Sequence, residues 1–479
     1  MRLIGALPWF SAAIVVAACS SKSETQTPAA YTYKPQGCQY TVATPKTRNY
    51  ADLFADDATA ADAVPQRVRI GLGGGVTAGA AGYADPSTTT AFLWETAAAN
   101  HAAKVKLGTS PTALSDMHQG FSFTAQPPEV GLSSGQPAFF HEVHVCGLQP
   151  GTTYYYQVGG GAPGSEVWSA TQSFTTVANT GKITIGMFGD SRDVVGTWQA
   201  VATRMRDAGA AVQLVSGDVV DIGSLQTLYG TWLDAIWKDP ASSGKFLTLG
   251  QQMLIPIAGN HENDASQFYS NFVIPGEGDF AEQYASFDIG NTHFVLIDDQ
   301  PIASGSADAA KATLAWLDKD LAAANANRAK VPFIATVNHR GLYSTSHHAS
   351  ETDVLTTRGV LAPIFDKYNV DIAFNGHEHE YERSKALKAG SPASGDPVVG
   401  TGTQYVICAG AGADAYAPSA TPSPFREKNA GFGGGTPYIG VYALLTLEGK
   451  SLTMTAYGLK ASGTRVKDDD VLDTLTITR

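Results

Sequence analysis

Asn375-Gly-His-Glu-His-Glu-Tyr-Glu-Arg383 is the stretch that decides the fold of this chain of 479 residues. It follows an apolar run with β-branched residues, Val370-Asp-Ile-Ala-Phe374, which is typical of a buried strand. Alternate side chains of an extended segment point the same way, so His377 and His379 can face one site. A His-x-His pair directly after a strand indicates a metal site, because open α/β sheets place their ligands at strand ends.

Four other short polar segments repeat this arrangement, each after its own apolar run, at residues 182–188, 212–215, 254–257 and 331–334. The segments are Gly189-Asp190, Gly217-Asp218, Gly259-Asn-His-Glu262 and Val337-Asn-His-Arg340. Carboxylate, imidazole and amide donors suit two divalent or trivalent ions, because a carboxylate bridges both and neutral donors complete each sphere without excess charge. No Cys lies in any of the five segments, so a thiolate zinc site is not expected there.

The number, order and spacing of these segments resemble the calcineurin-like metallophosphoesterase superfamily. Within it, Gly376-His-Glu-His-Glu-Tyr-Glu-Arg-Ser384 is similar to the GHxHxYER motif of the purple acid phosphatase branch. The resemblance implies an α/β fold, a four-layer αββα metallophosphoesterase sandwich preceded by an all-β, fibronectin type III-like sandwich. It also implies two metal ions, of iron, zinc or manganese, and hydrolysis of phosphate monoesters by a metal-bound hydroxide.

The same resemblance implies a role for each donor. Asp218 would bridge the two ions. The other donors would divide between a first ion, with Asp190 and His379, and a second ion, with Asn260, His339 and His377.

One ligand of the first ion is missing from the sequence. Purple acid phosphatases place a Tyr three residues after the bridging Asp, where this chain has Asp221. Other superfamily members place a His two residues after the first Asp, where this chain has Arg192. Asp221 is interpreted either as a substitute oxygen ligand or as a partner that orients Arg192. Arg192 is also a candidate contact to the substrate, since guanidinium matches phosphate geometry, and without the Tyr no purple colour is expected.

Further substrate contacts are expected from histidines. His261 follows the ligand Asn260 and corresponds to a substrate-contacting His of the family, and it is also a catalytic candidate to protonate the departing alkoxide. His347 and His348 resemble a pair that contacts phosphate and protonates the leaving group, although the pair comes one residue early here. Which of the two takes which role is open at this point. Imidazole suits both tasks because it donates to an anion and exchanges a proton near neutral pH.

Length and composition agree with a globular protein of two domains. A chain of 479 residues exceeds one usual core, and 43% hydrophobic residues support extensive burial. The net charge of −12 argues against nucleic acid as a partner, because such binding needs concentrated cations. An anionic ester remains compatible with this charge, because bound metal ions supply local positive charge.

The first residues have the pattern of an export signal. Arg2 precedes an apolar stretch over residues 3–18, and Val16-Ala-Ala-Cys19 resembles the lipidation site of bacterial lipoproteins. Residues 1–18 are therefore predicted to be a lipoprotein signal peptide, and Cys19 to anchor the exported protein to the cell envelope, periplasmic or outer-membrane. An ordinary signal peptide of a secreted protein is the alternative, and the run is short for a membrane span.

Three further regions are predicted along the chain. Residues 19–62 are a tether and N-terminal extension, residues 63–178 a β-rich domain, and residues 182–479 the catalytic domain. Within the second region, the pattern Leu148-x-Pro-Gly-Thr-x-Tyr154 resembles fibronectin type III domains, which large purple acid phosphatases carry in front of the catalytic domain.

Several residues of unclear purpose are interpreted as structural. His141 and His144 are expected to be polar residues of the β-rich domain, because no metal-ligand partner is near in sequence. Cys38 and Cys146 either pair in an oxidising compartment or stay as two thiols, whereas Cys408 is predicted to be a buried core thiol.

Two other functions stay open at the level of sequence. The same donors serve phosphodiesterases and nucleotidases. A non-catalytic cell-surface binding protein is the second alternative, in which the incomplete first-ion site is degenerate and the fibronectin-like domain binds the partner.

Overall fold

The computed structural model describes residues 32–43, 48–49, 64–75, 83–96, 103–125, 139–162, 164–237, 248–275 and 282–479. The predicted signal peptide, Cys19 and most of the predicted tether lie outside these ranges. Among the helices within them, none combines the length and the apolar composition that crossing a membrane requires.

The strands before the first helix are short or of moderate length and alternate with turns. In chain order they are β1 (Thr32–Tyr33), β2 (Val42–Ala43), β3 (Arg48–Asn49), β4 (Gln66–Gly71), β5 (Gly74–Gly75), β6 (Tyr83–Ala84), β7 (Thr89–Thr96), β8 (Lys104–Gly108), β9 (Asp116–Gln119), β10 (Phe121–Ala125), β11 (Phe139–Cys146), β12 (Thr153–Gly160), β13 (Val167–Trp168), β14 (Gln172–Thr175) and β15 (Ile183–Phe188).

The remaining strands alternate with helices and then close the chain. They are β16 (Val212–Val215), β17 (Met253–Pro256), β18 (Tyr284–Ile289), β19 (Thr292–Ile297), β20 (Phe333–Val337), β21 (Ile372–Asn375), β22 (Tyr381–Lys388), β23 (Val398–Val399), β24 (Thr403–Cys408), β25 (Arg426–Ala430), β26 (Tyr438–Glu448), β27 (Ser451–Lys460) and β28 (Asp470–Thr478). The helices are α1 (Val195–Asp207), α2 (Gln226–Asp234), α3 (Thr248–Gln251), α4 (Ser266–Asn271), α5 (Gln300–Ala303), α6 (Ala307–Ala326) and α7 (Thr352–Tyr368), with a 3₁₀ turn at Val466–Asp468.

Two large sheets pack face to face. The first has eleven strands in the order β28-β27-β26-β15-β16-β17-β4-β7-β11-β10-β3, and β15, β16 and β17 run parallel. The second has the order β18-β19-β20-β21-β24-β22-β23, with β25 paired to β22. Buried side chains of both sheets, such as Leu214, Ile255, Leu296 and Phe374, belong to one continuous hydrophobic cluster.

Helices cover the outer faces of this pair of sheets. Trp198, Val201 and Met205 of α1 recur at helical spacing and pack into the cluster of the first sheet. Leu317 of α6 and Phe365 of α7 pack into a separate cluster with residues of β19 and β20. The resulting αββα order confirms the predicted fold class.

A second, smaller sandwich precedes the metal-binding strands. Strands β8, β9, β12, β13 and β14 form its rear sheet, and Tyr156 and Phe174 of that sheet pack on Phe92 of β7. Its front sheet is continuous with the catalytic sheet, because β4 pairs in parallel with β17 at Ile70 and Met253. The predicted domain boundary falls in the loop between β14 and β15, yet one sheet runs through both parts.

The structural residues predicted in this region have buried partners. The His141 ring stacks on Trp94 with centroids 5.0 Å apart, and the His144 Nε2 atom lies 2.8 Å from Glu142 Oε1. Both histidines are thus used in packing and hydrogen bonding within the sandwich. Cys38 and Cys146 form a disulfide with Cα atoms 5.4 Å apart, which resolves the two alternatives for the pair, and Cys408 is a buried free thiol, as predicted.

Candidate metal centre

Five loops converge at one edge of the paired sheets, each directly after one of the parallel strands β15, β16, β17, β20 and β21. Donor atoms of Asp190, Asp218 and His339 lie within 4.8 Å of one another. His379 Nε2 is 3.4 Å from Asp190 Oδ1, and His339 Nε2 is 2.8 Å from Asn260 Oδ1. The sixth predicted donor, His377, has its ring centroid 5.1 Å from that of His339. The fold therefore brings together six side chains that are up to 189 positions apart in sequence, from Asp190 to His379.

The backbone at these strand ends is unusual. Asp190, Asp218 and His377 have φ angles of +54°, +54° and +73°, in the left-handed region that non-glycine residues rarely adopt. Such strain persists where the surrounding structure imposes it, and it is typical of functional sites. Glycines allow the loops to approach closely: a Cβ at Gly259 would lie 2.1 Å from Asp218 Oδ1, and one at Gly376 would lie 2.6 Å from Asp190 Oδ2.

Two backbone carbonyls set the tautomers of the histidines. His339 Nδ1 lies 2.7 Å from the Ser216 carbonyl oxygen, and His379 Nδ1 lies 2.6 Å from the Asp414 carbonyl oxygen. Because a carbonyl oxygen only accepts, both Nδ1 atoms donate a proton to it, and both Nε2 atoms face the centre. This is the usual arrangement of metal-binding histidines.

His377 gives a further indication that these side chains fit a metal ion. Its Nε2 atom is buried and has no hydrogen-bond partner among the described residues. A buried polar atom without a partner is costly, and an ion bound at the centre would supply the missing interaction. Burial, together with the positive charge of His339 and His348 nearby, lowers the pKa of His377, so its imidazole is neutral and free to act as a ligand.

The charges at the centre are strongly coupled. Burial alone would lower the pKa of His339, but the adjacent Asp218 carboxylate raises it to about 10. Burial would raise the pKa of Asp218, yet the contact with His339 lowers it overall. To hold a metal ion through Nε2, His339 would have to lose this proton.

Glu262 organises two of the ligand loops, a role that the sequence did not reveal although the residue ends one of the motifs. Its carboxylate accepts the backbone N–H groups of Gly259 at 2.7 Å, Asp218 and Val219 at 2.9 Å and Val220 at 3.2 Å. Burial and the charge of Asp218 raise the pKa of Glu262 to about 7. Glu262 thus holds the segment of the predicted bridging Asp218 against the segment of Asn260.

Asp299 plays a similar part for the His339 segment and was also missed. Its carboxylate accepts the Asn338 side-chain amide at 3.0 Å, the Arg340 N–H at 2.7 Å and the Arg340 guanidinium at 2.6 Å. Asp299 follows β19, where nothing in the sequence distinguishes it from an ordinary loop carboxylate. Only the folded structure shows that it braces a ligand loop.

Arg192 lies inside the centre. Its side chain is only 11% exposed, its Nη2 atom is 3.4 Å from His379 Nε2, and its Nε atom is 4.0 Å from Asp218 Oδ2. On its outer side, Nη1 is 3.3 Å from the Asp193 carboxylate. The guanidinium therefore contacts donors that were predicted for the first ion.

Asp221 is placed differently from both interpretations of it. Its side chain is 54% exposed, and its carboxylate lies 3.3 Å from His261 Nδ1, which also lies 2.7 Å from the Asp221 carbonyl oxygen. Neither a place among the clustered donors nor a contact with Arg192 is present. Val219 and Val220 before it are buried, whereas Asp221 faces solvent and His261.

The two neighbouring histidines differ in position. His348 has its ring centroid 4.2 Å from that of His377, and its Nδ1 atom is 2.9 Å from Glu351. His347 is exposed and packs on the Tyr416 ring at 4.8 Å. His348 is therefore the member of the pair that adjoins the predicted ligands.

Tyr416 completes this side of the centre and was missed by the sequence reasoning. Its ring stacks on His379 with centroids 4.1 Å apart, and its hydroxyl lies 3.2 Å from His348 Nε2. The residue comes from an irregular segment before β25 that carries no recognisable pattern, so no sequence signal pointed to it.

Comparison with known proteins agrees with this architecture. The model of the purple acid phosphatase N-terminal domain matches residues 79–176. Purple acid phosphatase 15 of Arabidopsis thaliana is 27% identical over 59% of this chain and 57% of its own length. Purple acid phosphatase 18 of the same plant is 25% identical over 77% of this chain and 78% of its own length. Acid phosphatase type 7 of Mus musculus is 26% identical over 51% of this chain and 57% of its own length.

Solved structures extend the comparison of fold. The purple acid phosphatase PPD1 from yellow lupin (Lupinus luteus) seeds superposes with a TM-score of 0.68 at 17% identity, covering 87% of this chain and 75% of the lupin chain. The structure of PhoD gives a TM-score of 0.57 at 10% identity, covering 88% of this chain and 92% of that chain. At these identities the likeness concerns the fold.

The fold and the strand-end motifs are similar to those of metallophosphoesterases, a class of hydrolases. Within that class, residues 79–176 match the N-terminal domain of purple acid phosphatases, and the plant relatives above are 25–27% identical to the chain. The predicted likeness of that domain to fibronectin type III domains stays a prediction, because the matching model is that of the purple acid phosphatases themselves.

Proposed function

We propose that this protein hydrolyses phosphate monoesters at the metal centre. The observation that carries the proposal is the convergence of six donor side chains from five strand ends, with the Nε2 atoms of His339 and His379 turned inward by backbone carbonyls. Polar loop residues placed by chance would not be buried together, and backbone carbonyls would not fix the tautomers of their histidines. When bound, metal ions at such a centre polarise phosphoryl oxygens and activate a water for in-line attack on phosphorus.

The donors of the second ion are close together, and His339 must lose its Nε2 proton before an ion can bind there. Asn260 and His339 already face each other, and the His377 Nε2 atom has no other partner among the described residues. Hydrolysis needs an ion at these donors. The donors of the first ion, Asp190 and His379, also contact the Arg192 guanidinium or lie beside it, and Arg192 decides whether a further ion, of iron, zinc or manganese, binds there.

We propose that His348 donates a proton to the departing alkoxide. Its ring adjoins that of His377, its Nδ1 atom lies 2.9 Å from the Glu351 carboxylate, and its Nε2 atom lies 3.2 Å from the Tyr416 hydroxyl. His261 lies beside Asp218, with its Nε2 atom 3.8 Å from Asp218 Oδ2, and is proposed to contact a phosphoryl oxygen. His347, on the exposed side of the pair, is proposed to contact substrate more weakly.

A substrate panel tests this proposal. Metal-replete protein should release alcohol faster from an aryl phosphate monoester than from the matching diester, and Asp218→Asn should abolish the release. The matched control is Asp288→Asn, a carboxylate of β18 that contacts His293 away from the centre. Faster diester cleavage would favour the phosphodiesterase alternative. Absence of hydrolysis in metal-replete protein would favour the binding-protein alternative and overturn the proposal.

We also propose that the protein is exported and anchored through a lipid on Cys19. The Cys38–Cys146 disulfide supports export, because disulfides persist in oxidising compartments. Mass spectrometry of the protein from a bacterial host should find a mature N-terminus at a lipid-modified Cys19, and Cys19→Ala should lose the lipid. A mature chain that retains residues 1–18, or that begins at another residue without lipid, would contradict the anchor.

A further inference from the structure

Arg192 stands where the sequence resemblance expects a ligand of the first ion. Superfamily members with a His two residues after the first Asp use that His for this ion, and this chain has Arg192 at the same offset from Asp190. The side chain turns inward: only 11% of it is exposed, and its Nη2 atom lies 3.4 Å from His379 Nε2. The guanidinium is therefore inside the centre, on the side of the first ion.

The contact with His379 uses the atom that an ion would need. His379 Nδ1 is committed as a donor to the Asp414 carbonyl, which leaves Nε2 as the acceptor of the ring. An imidazole nitrogen has one lone pair, and it cannot bind an ion while it accepts an N–H group from Arg192. An ion at the first position would have to displace the guanidinium.

The charge at the centre leads to the same conclusion. Asp190 and Asp218 are the buried carboxylates among the predicted ligands, and they bring two negative charges. Two divalent ions together with the guanidinium would bring five positive charges to this buried space, whereas one ion and the guanidinium bring three. Like charges at close range in a buried site repel strongly, so the second arrangement is favoured.

Arg192 is also held where it stands. Its backbone N–H donates to the Asp218 carbonyl at 3.3 Å, and the N–H of Ser191 donates to the same oxygen at 3.0 Å. Trp232 Nε1 donates to the Ser191 hydroxyl at 2.9 Å, and Asp193 contacts the outer edge of the guanidinium. The segment that presents Arg192 is thus pinned to the loop of the predicted bridging residue.

We propose that this chain holds one metal ion, at Asp218, Asn260, His339 and His377, and that the Arg192 guanidinium stands in the place of the first ion. This inference rests on the proposed function for its chemical meaning: a fixed guanidinium beside one ion binds phosphoryl oxygens and supplies positive charge there. It departs from the two-ion centre that the resemblance implies.

Metal stoichiometry tests the inference directly. Protein reconstituted with excess Mn²⁺, and separately with Zn²⁺, is freed of loose metal and analysed for ions per chain. We expect about one ion per chain in the wild type, and an electron paramagnetic resonance spectrum of an isolated Mn²⁺. Two ions per chain, with the spectrum of an exchange-coupled pair, would overturn the inference.

Substitutions at the same position sharpen the test. Arg192→His creates the superfamily arrangement and should raise the content from about one to about two Mn²⁺ per chain, whereas Arg192→Lys keeps the charge and should stay at one. Arg206→His, on α1 beside Asp207, is the matched control and should also stay at one. Thermal unfolding of each variant confirms that it is folded. A folded Arg192→His protein that still binds one ion would remove Arg192 as the cause.

The measurements separate this inference from the proposed function. Aryl phosphate hydrolysis is followed on the same preparations. One ion per chain with hydrolysis supports both proposals, and two ions per chain with hydrolysis overturns only the single-ion inference. One ion per chain without hydrolysis overturns only the proposed function. Absence of bound metal, with the wild type folded, overturns both.

Discussion

The metal centre has two halves that are built alike but differ in charge. The first-ion half consists of Asp190, Arg192 and His379, and the second-ion half of Asn260, His339 and His377, with Asp218 between them. Both halves use strand ends and a carbonyl that sets a histidine tautomer. Only the first contains a permanent cation. This difference is the basis of our proposal that a guanidinium takes the place of one ion, and it makes Arg192 the side chain to test.

The largest effect is expected when Asp218, the residue that the two halves share, is removed. Asp218→Ala takes away the carboxylate that compensates His339 and Arg192, so both halves should lose their order. We expect kcat/KM for an aryl phosphate to fall by about 10⁴-fold or more, with loss of bound metal. Elemental analysis and steady-state kinetics measure the two effects. Activity within tenfold of the wild type would show that Asp218 is not a ligand.

The second-ion half can be examined through its neighbour His348. His348→Gln should reduce kcat by roughly 10²- to 10³-fold on an alkyl phosphate, the range of general acid catalysis, and much less on a nitrophenyl phosphate whose leaving group needs no proton. His347→Gln is the matched control and should lower kcat by less than about tenfold on both esters. Equal loss on both esters for His348→Gln would contradict its role as proton donor, and a larger loss for His347→Gln would exchange the two roles.

The pH dependence of stability also has a contribution from outside the centre, and His293 is the residue that we use to measure it. Its Nδ1 and Nε2 atoms lie 2.6 and 3.0 Å from Asp288 and Asp320. Burial would lower the pKa of His293, but the two carboxylates raise it to about 9.

Because the folded-state pKa of His293 is raised above the unfolded value of 6.5, the stabilisation is complete below pH 6.5. It is lost as the pH rises through about 9, and its size is at most about 3 kcal/mol. Urea unfolding of metal-free wild type and His293→Gln at pH 6 and pH 9.5 measures the difference. If the difference in the free energy of unfolding between wild type and His293→Gln is no smaller at pH 9.5 than at pH 6, the ion pairs of His293 with Asp288 and Asp320 are contradicted.

The smallest effect is expected for Asp221, and this test asks whether Asp221 is a ligand in the first-ion half. With its carboxylate exposed and directed to His261, Asp221→Ala should leave the metal content unchanged and alter kcat by no more than about tenfold, through the position of His261. Elemental analysis and kinetics with His261→Gln as a parallel variant test this. Loss of an ion from Asp221→Ala would make Asp221 a ligand after all.

Several strands of the fold could be predicted from the sequence, because they depend on the local pattern of apolar residues. The apolar runs before each polar segment predicted β15, β16, β17, β20 and β21. The continuous sheet from β4 to β17 was not predicted. Pairing between strands nearly two hundred residues apart leaves no trace in the local sequence.

The sequence by itself determined which residues serve as candidate ligands, because donor type and position after a strand are local properties of the chain. Only the tertiary structure decided what surrounds them: Glu262 and Asp299 bracing the loops, Tyr416 stacked on His379, Asp221 turned outward and Arg192 turned inward. The physical reason is that the direction of a side chain depends on the charges and volumes packed around it from distant segments. These segments become neighbours only when the two sheets pack together in the folded protein.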